Sequence, residues 1–230
     1  MKQKKDFNRM TAESFGSEQG VRAYAKIGLT KEESDIIKQN FKGGKILDIG
    51  CGCGRTTVPL AKMGYKVIGI EIVSEMILYA KNKFPRIKFK QMNATALEFP
   101  NESFDNILFS YCGLDYIYPE SMRLKALKEI FRVPKPGGYF VFSSHNSLSL
   151  PNYFKNFKRI KTALFNLPRM TYSRYWLEKM SFGPCNTHYS SPFKQLDDAK
   201  KAGFSKVWLY GGRTIKNLFF NTRPYFIAIK

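Results

Sequence analysis

The chain is poor in residues that hold metals. Its 230 positions include two histidines, His145 and His188, far apart in sequence, and four cysteines, Cys51, Cys53, Cys112 and Cys185. There is no CxxC pair, HExxH motif or Cys/His zinc spacing, so no protein-held metal is expected. The cysteines are also too few for a disulfide framework, which points to a reducing, cytoplasmic setting. No apolar run approaches the ~20 residues of a spanning helix. The opening MKQKKDFNRM is not followed by the apolar core of a secretory signal. A soluble protein with no membrane span is therefore the expectation. Acids are scarce as well: 18 against 38 basic residues, a formal net charge of +20. That excess favours anionic company, whether nucleic acid, a phosphorylated ligand or an acidic membrane surface, without choosing among them.

Apolar and aromatic residues are plentiful, at 43% and 15%, enough for one large core. Short apolar strands are read at Lys45–Ile49, Lys66–Glu71, Ile87–Gln91, Phe104–Phe109 and Tyr139–Phe142, the last preceded by a turn at Pro136–Gly138. Helical periodicity occupies Val21–Phe41, broken near Gly28, with Thr30 and Glu33 spaced as a capping box. It returns at Thr56–Met63, after Ser74 as cap, and at Pro119–Phe131. Strands alternating with helices predict βαβ units and a parallel sheet covered on both faces. A helix over Pro192–Ala202 and strands over Lys206–Tyr210 and Tyr225–Ile229 close the chain. The whole is read as one domain, 1–230: a helical cover over 1–40, a ligand-binding core over 41–146, an insertion over 147–190, and a closing helix and hairpin over 191–230. From Pro151 to Trp176 there are six basic residues and no acid. Phe154, Phe157, Ile160 and Leu164 recur there at helical spacing, as in a lid helix with lysines outside. The same basic-aromatic mixture also suits single-stranded RNA.

The chemistry is concentrated at Ile46–Gly54, ILDIGCGCG. A strand that runs into closely spaced glycines and then a helix lets backbone approach a ligand. The glycines alternate at 50, 52 and 54, and Arg55 stands where a dinucleotide fingerprint would place its last glycine. Asp48 precedes the loop, where a carboxylate repels a pyrophosphate and suits a cationic ligand. Glu71 ends the second strand, 21 residues after Gly50, where nucleoside-binding α/β proteins place the acid that accepts from ribose hydroxyls.

ILDIGCGCG, GIEIVSEMI, FDNILFS and EIFRVPKPGGYFVFS together resemble the class I S-adenosylmethionine-dependent methyltransferases of the broad small-molecule type, over about residues 40–145. The resemblance implies an α/β Rossmann-like fold with seven strands ordered 3-2-1-4-5-7-6, strand seven antiparallel. The implied cofactor is S-adenosyl-L-methionine. Asp48, Gly50, Cys51 and Gly52 would meet its methionyl part, Glu71 its ribose, and Ile72 and Met76 its adenine. Asn93–Ala94, where the family commonly has an acid and a small residue, would meet the adenine edge. The Ser110 carbonyl would meet the ammonium.

Ligands of open α/β sheets sit beyond the carboxyl ends of the strands. Tyr111, His145 and Asn146 are therefore expected to border the pocket, His145 as a candidate base for a hydroxyl acceptor. His188 and Tyr189 are expected to reach it from the insertion. Cys112 and Cys185 are read as buried filler. The expected acceptor is a small molecule methylated on oxygen or nitrogen. RNA is the alternative, and a nicotinamide-dependent oxidoreductase or a catalytically silent cofactor-binding subunit stands behind both.

Overall fold

The computed structural model describes residues 6–149 and 174–230. The strands form where the apolar runs lie: β1 (Lys45–Ile49), β2 (Lys66–Glu71), β3 (Lys88–Gln91), β4 (Phe104–Phe109) and β5 (Pro134–Ser143). These pair in parallel through the helices between them, α4 (Thr57–Lys62), α5 (Ser74–Lys83) and α6 (Glu120–Arg132). Three helices precede them, α1 (Phe7–Gly16), α2 (Glu18–Ala25) and α3 (Lys31–Asn40). A hairpin, β6 (Arg174–Met180) and β7 (Gly183–Tyr189), leads to α7 (Pro192–Ala202), β8 (Lys206–Leu209) and β9 (Tyr225–Ile229). The main sheet is ordered β3-β2-β1-β4-β5-β9-β8, with β9 antiparallel to both neighbours. With β8 and β9 as its sixth and seventh strands, this is the expected 3-2-1-4-5-7-6 arrangement. Among the described residues no helix is long and apolar enough to cross a membrane.

Side chains alternate across the sheet, so neighbours in one strand serve opposite cores. Leu47, Ile49, Phe140, Phe142 and Phe226 face α6 and α7, while Ile46, Leu108, Val141 and Ile227 face Ile36 and Ile37 of α3. The Phe140, Phe142 and Phe226 rings stack across three adjacent positions at 4.8 and 5.0 Å. The capping box forms as read: Glu33 N donates to Thr30 Oγ1 at 3.1 Å, and Thr30 N donates to Glu33 Oε2 at 2.7 Å.

Three local readings are corrected. Ser74 is the first helical residue rather than the cap, and its hydroxyl donates to Glu75 instead. The turn expected at Pro136–Gly138 is an irregularity inside β5, where pairing with β4 jumps from Phe104↔Pro134 to Asn106↔Tyr139. The β6–β7 hairpin was not foreseen, because its link, Ser181–Phe182, has no turn signature. Contacts with α1 support it instead: Ser14 Oγ donates to the Pro184 carbonyl at 2.7 Å, Asn186 N donates to Thr11 Oγ1 at 3.0 Å, and Phe182 packs on Phe15 at 5.1 Å. The lid-helix reading of Phe154, Phe157, Ile160 and Leu164 lies outside the described residues.

One charge lies within the α6–α7 contact. Arg123, fully buried, donates through Nη1 to Asp198 Oδ2 at 2.8 Å and through Nη2 to Gln195 Oε1. Without it Asp198 keeps, among the described residues, only the Lys194 ammonium at 2.9 Å, and Asp115 loses a guanidinium 3.9 Å away, so Arg123→Met should lower the unfolding free energy by about 3–5 kcal/mol. Urea titration of both proteins measures this.

Candidate active site

The loop after β1 turns because three glycines adopt left-handed backbone, at φ +63° for Gly50, +54° for Gly52 and +92° for Gly54. At Gly50 a Cβ would also stand 2.7 Å from the Phe109 ring, so no other residue fits without displacing it. The turn brings the Gly52 amide to the end of β2, where it donates to Glu71 Oε2 at 3.2 Å. The Ile72 and Val73 amides donate to Glu71 Oε1 at 2.8 and 3.1 Å. Burial raises the Glu71 pKa, and these three donors oppose that rise. Each Glu71 oxygen keeps acceptor capacity toward the cleft that it lines.

That cleft opens at the carboxyl edge of the sheet and encloses about 1110 Å³, counted out to its mouth. Gly50, Cys51, Gly52, Glu71, Ile72, Met76, Asn93, Ala94, Ser110 and Tyr111 all line it. Two of the expected roles change in detail. Asn93 Oδ1 already accepts from the Thr95 amide and hydroxyl, both at 2.9 Å, which leaves the Asn93 amino group as the free donor. Asp48 lies beneath the loop rather than in the lining. Its Oδ2 accepts from Thr56 and Thr57 at 2.5 and 2.6 Å, and its Oδ1 has no hydrogen-bond partner among the described residues. Burial outweighs the two threonine donors and pushes its pKa up to about 6.

Sequence reasoning passed over Glu33 and Arg55 as site residues. Arg55 donates from Nη1 and Nη2 to the two Glu33 oxygens at 2.8 and 2.5 Å, and from Nη1 to the Gly28 carbonyl at 3.1 Å. Glu33 Oε1 also accepts from the Ser110 hydroxyl, and from Tyr225 Oη at 2.8 Å. Burial alone would raise the Glu33 pKa, but these donors, Arg55 foremost, hold it down at about 2. The Arg55 guanidinium lies 4.7 Å from the centre of the Tyr111 ring, which carries the clamp to the cleft wall.

The other half of the cleft is aromatic. Phe15 of α1 meets Tyr24 and Tyr116 edge-on at 5.2 and 5.0 Å, and Tyr24 meets Tyr111 at 6.1 Å. Asn8 closes one side, its amino group donating to the Tyr118 carbonyl at 2.6 Å while its Oδ1 accepts from the Tyr118 amide at 2.9 Å. Burial raises the pKa of both Tyr24 and Tyr116, so these phenols stay protonated. Among the described residues the one carboxylate in the lining is Glu71, and no imidazole lines it.

The remaining expectations are corrected. His145, Asn146, His188 and Tyr189 do not line the cleft. Both histidines, distant in sequence, meet at the buried Asp115: His145 Nδ1 lies 3.0 Å from Oδ2 and His188 Nδ1 3.6 Å from Oδ1. Burial disfavours charge on His145, but Cys112 and Asp115 outweigh it and push its pKa up to about 10. An imidazolium behind the wall cannot serve as a base at neutral pH. Cys112, Asp115 and His145 place metal-ligand atoms within 4.8 Å of one another. Asp115 is already committed, however, accepting also from the Ser144 hydroxyl at 2.9 Å and the His145 amide at 2.6 Å. The group therefore acts as a brace. Asn146 donates to the Leu218 and Asn221 carbonyls, and Tyr189 Oη donates to Glu178 at 3.0 Å. The signal for this inward turn was present in Asp115 itself, an acid among apolar residues just past β4.

A Rossmann-like sheet in this strand order, with a glycine loop and a carboxylate at the end of its second strand, defines a nucleoside-cofactor enzyme. Comparison with known proteins narrows the class. A family profile described as "Methyltransferase domain" matches residues 46–138. The demethylmenaquinone methyltransferase of Lactococcus lactis is 37% identical over 202 residues, 78% of this chain and 74% of that protein. The putative methyltransferase YqeM of Bacillus subtilis is 31% identical over 114 residues, 48% of this chain, so that the chain spans about half (46%) of that relative's length. A SAM-dependent methyltransferase structure from Methanosarcina mazei superposes with a TM-score of 0.68 at 24% identity, over 89% of this chain and 99% of that one. The chain belongs to the class I S-adenosylmethionine-dependent methyltransferases, and S-adenosylmethionine is its cofactor. The site is compatible with that ligand: Glu71 keeps acceptor capacity toward the cleft, and the glycines keep side chains out of the loop that borders it.

The depressed Glu33 pKa has a definite sign. Its stabilisation is complete above the ordinary carboxylate value near 4.5 and is lost as pH falls from there through about 2. Between about pH 5 and pH 2 the native protein should lose roughly 3 kcal/mol more than Glu33→Gln. Urea unfolding of both proteins across that range tests it, and parallel curves would refute it.

Proposed function

We propose that this enzyme methylates an oxygen or nitrogen atom of a small, largely apolar acceptor held in the aromatic half of the cleft. The observation that carries this reading is the lining itself: Phe15, Tyr24, Tyr111, Tyr116 and Tyr118 form a neutral lobe beside the glycine loop and Glu71. Such a lobe suits a compact apolar ligand that buries its surface against rings.

In this reading Glu71 accepts from the ribose hydroxyls, and Ile72 and Met76 sandwich the adenine. Asn93 and Ala94 meet the adenine edge. Gly50, Cys51 and Gly52 border the methionyl chain, with Asp48 behind them and the Ser110 carbonyl at the ammonium. Bound there, the cofactor supplies an electrophilic methyl group on a sulfonium. The chain's contribution is placement and exclusion of water, and well-oriented reactants gain up to about 7–11 kcal/mol from positioning alone. Among the described residues the lining offers no free base, so in this reading the acceptor atom arrives nucleophilic, as an uncharged amine or a readily ionised hydroxyl. Tyr111, pinned by Arg55 and by Arg223 at 5.2 Å, sets the boundary between cofactor and acceptor. The demethylmenaquinone methyltransferase among the relatives supports a small-molecule acceptor, while the net charge of +20 keeps RNA as the second reading.

Purified protein incubated with methyl-labelled S-adenosylmethionine and a fractionated cell extract should place the label in the small-molecule fraction. Label in RNA would replace this reading with the second. Glu71→Ala should weaken S-adenosylhomocysteine binding about 10- to 100-fold by titration calorimetry, since it removes charge-assisted hydrogen bonds. Unchanged affinity would remove Glu71 from the ribose.

A further inference from the structure

Because β9 is antiparallel to β5 and β8 is antiparallel to β9, β8 runs with the parallel strands. Its carboxyl end at Leu209 therefore lies on the cleft edge of the sheet, and residues 210–224 cross that edge before β9 begins. This loop is held in place. Asn217 Nδ2 donates to the Tyr210 and Gly212 carbonyls at 3.1 and 3.0 Å, Asn146 Nδ2 donates to the Leu218 and Asn221 carbonyls at 2.8 and 2.9 Å, and Leu218 packs toward the core. With Leu218 turned inward, its neighbours point out: Ile215 is 73% exposed, Phe220 53% and Phe219 38%. Arg213 and Lys216, both exposed, lie among them. Arg223 ends the loop over Tyr111 of the cleft wall. Phe193, 47% exposed at the start of α7, extends the patch, with the Arg213 guanidinium 5.8 Å from its ring centre. From Ala199 to Lys230 there are seven basic residues and no acid.

We propose that this loop seats the enzyme on an anionic phospholipid surface, inserting Ile215, Phe219 and Phe220 at the headgroup boundary while Arg213, Lys216 and Arg223 meet the lipid phosphates. Apolar tips among cations, with no acid in the segment, match the two requirements of interfacial binding: buried apolar area and attraction to negative lipid. The contact places the cleft mouth against the bilayer, so the acceptor is drawn from the membrane. The lipid contact stands on the loop alone, and only the source of the acceptor rests on the methyltransferase reading above.

The test is flotation of the full chain with vesicles of phosphatidylglycerol and phosphatidylcholine in equal parts, against phosphatidylcholine alone. Three cations near the surface should favour the anionic vesicles on the order of a hundredfold, and high salt should reduce that preference. Ile215→Asp/Phe220→Asp should cut the bound fraction at least about tenfold. S-adenosylhomocysteine affinity should be unchanged in that variant, which shows that it folds. The proposal is overturned if the native chain ignores anionic vesicles, if the double variant binds them equally well, or if its defect appears in tRNA binding or in dimerisation instead. Vesicle binding without cofactor affinity would keep this inference and remove the cofactor site, and the converse would remove only the membrane contact.

Discussion

A single buried carboxylate holds the roof of this cleft to its floor. Glu33 lies in the first turn of α3, Arg55 follows the glycine loop, Ser110 follows β4 and Tyr225 opens β9, and all four side chains converge. Neither charge tolerates burial alone, so each is stable only when the other is in place. The glycine loop and the docked N-terminal helices therefore stabilise each other through Arg55 and Glu33. Because Glu33 also completes its own helix cap, one side chain links local helix initiation to assembly of the cofactor half of the site.

A second brace lies behind the cleft wall. Asp115 gathers His145, His188 and Ser144, while Arg123 ties α6 to α7 close by. Between these two charged clusters the described cleft wall is largely aromatic. In the proposed function this separates the groups that hold the shape from the surface offered to the acceptor, which suits a reaction governed by placement more than by proton transfer.

The parts of the site closest to the sheet were the most legible. Asp48, Gly50, Gly52 and Glu71 occupy ends of strands whose apolar runs are unambiguous, and their positions follow from the strand boundaries alone. Ile72, Met76, Asn93, Ala94 and Ser110 were implied by the family resemblance, and they line the same cleft. Legibility falls with distance from the sheet. His145 and Asn146 do follow β5, yet their side chains turn toward Asp115 and toward the loop before β9. His188 and Tyr189 belong to a hairpin whose link carries no turn residue and which forms because α1 offers Ser14 and Thr11 to its backbone.

Strand positions, the glycine turn and the acid at the end of β2 were therefore determined by the sequence itself, since apolar runs, conformational freedom at glycine and short connections act over neighbouring residues, whereas the strand order was implied by the family resemblance. Which polar side chains face the ligand and which become internal braces was decided only in three dimensions. A buried charge takes whichever partner removes its desolvation cost, and Glu33 with Arg55, or Asp115 with His188, are brought together from opposite ends of elements that no local pattern connects.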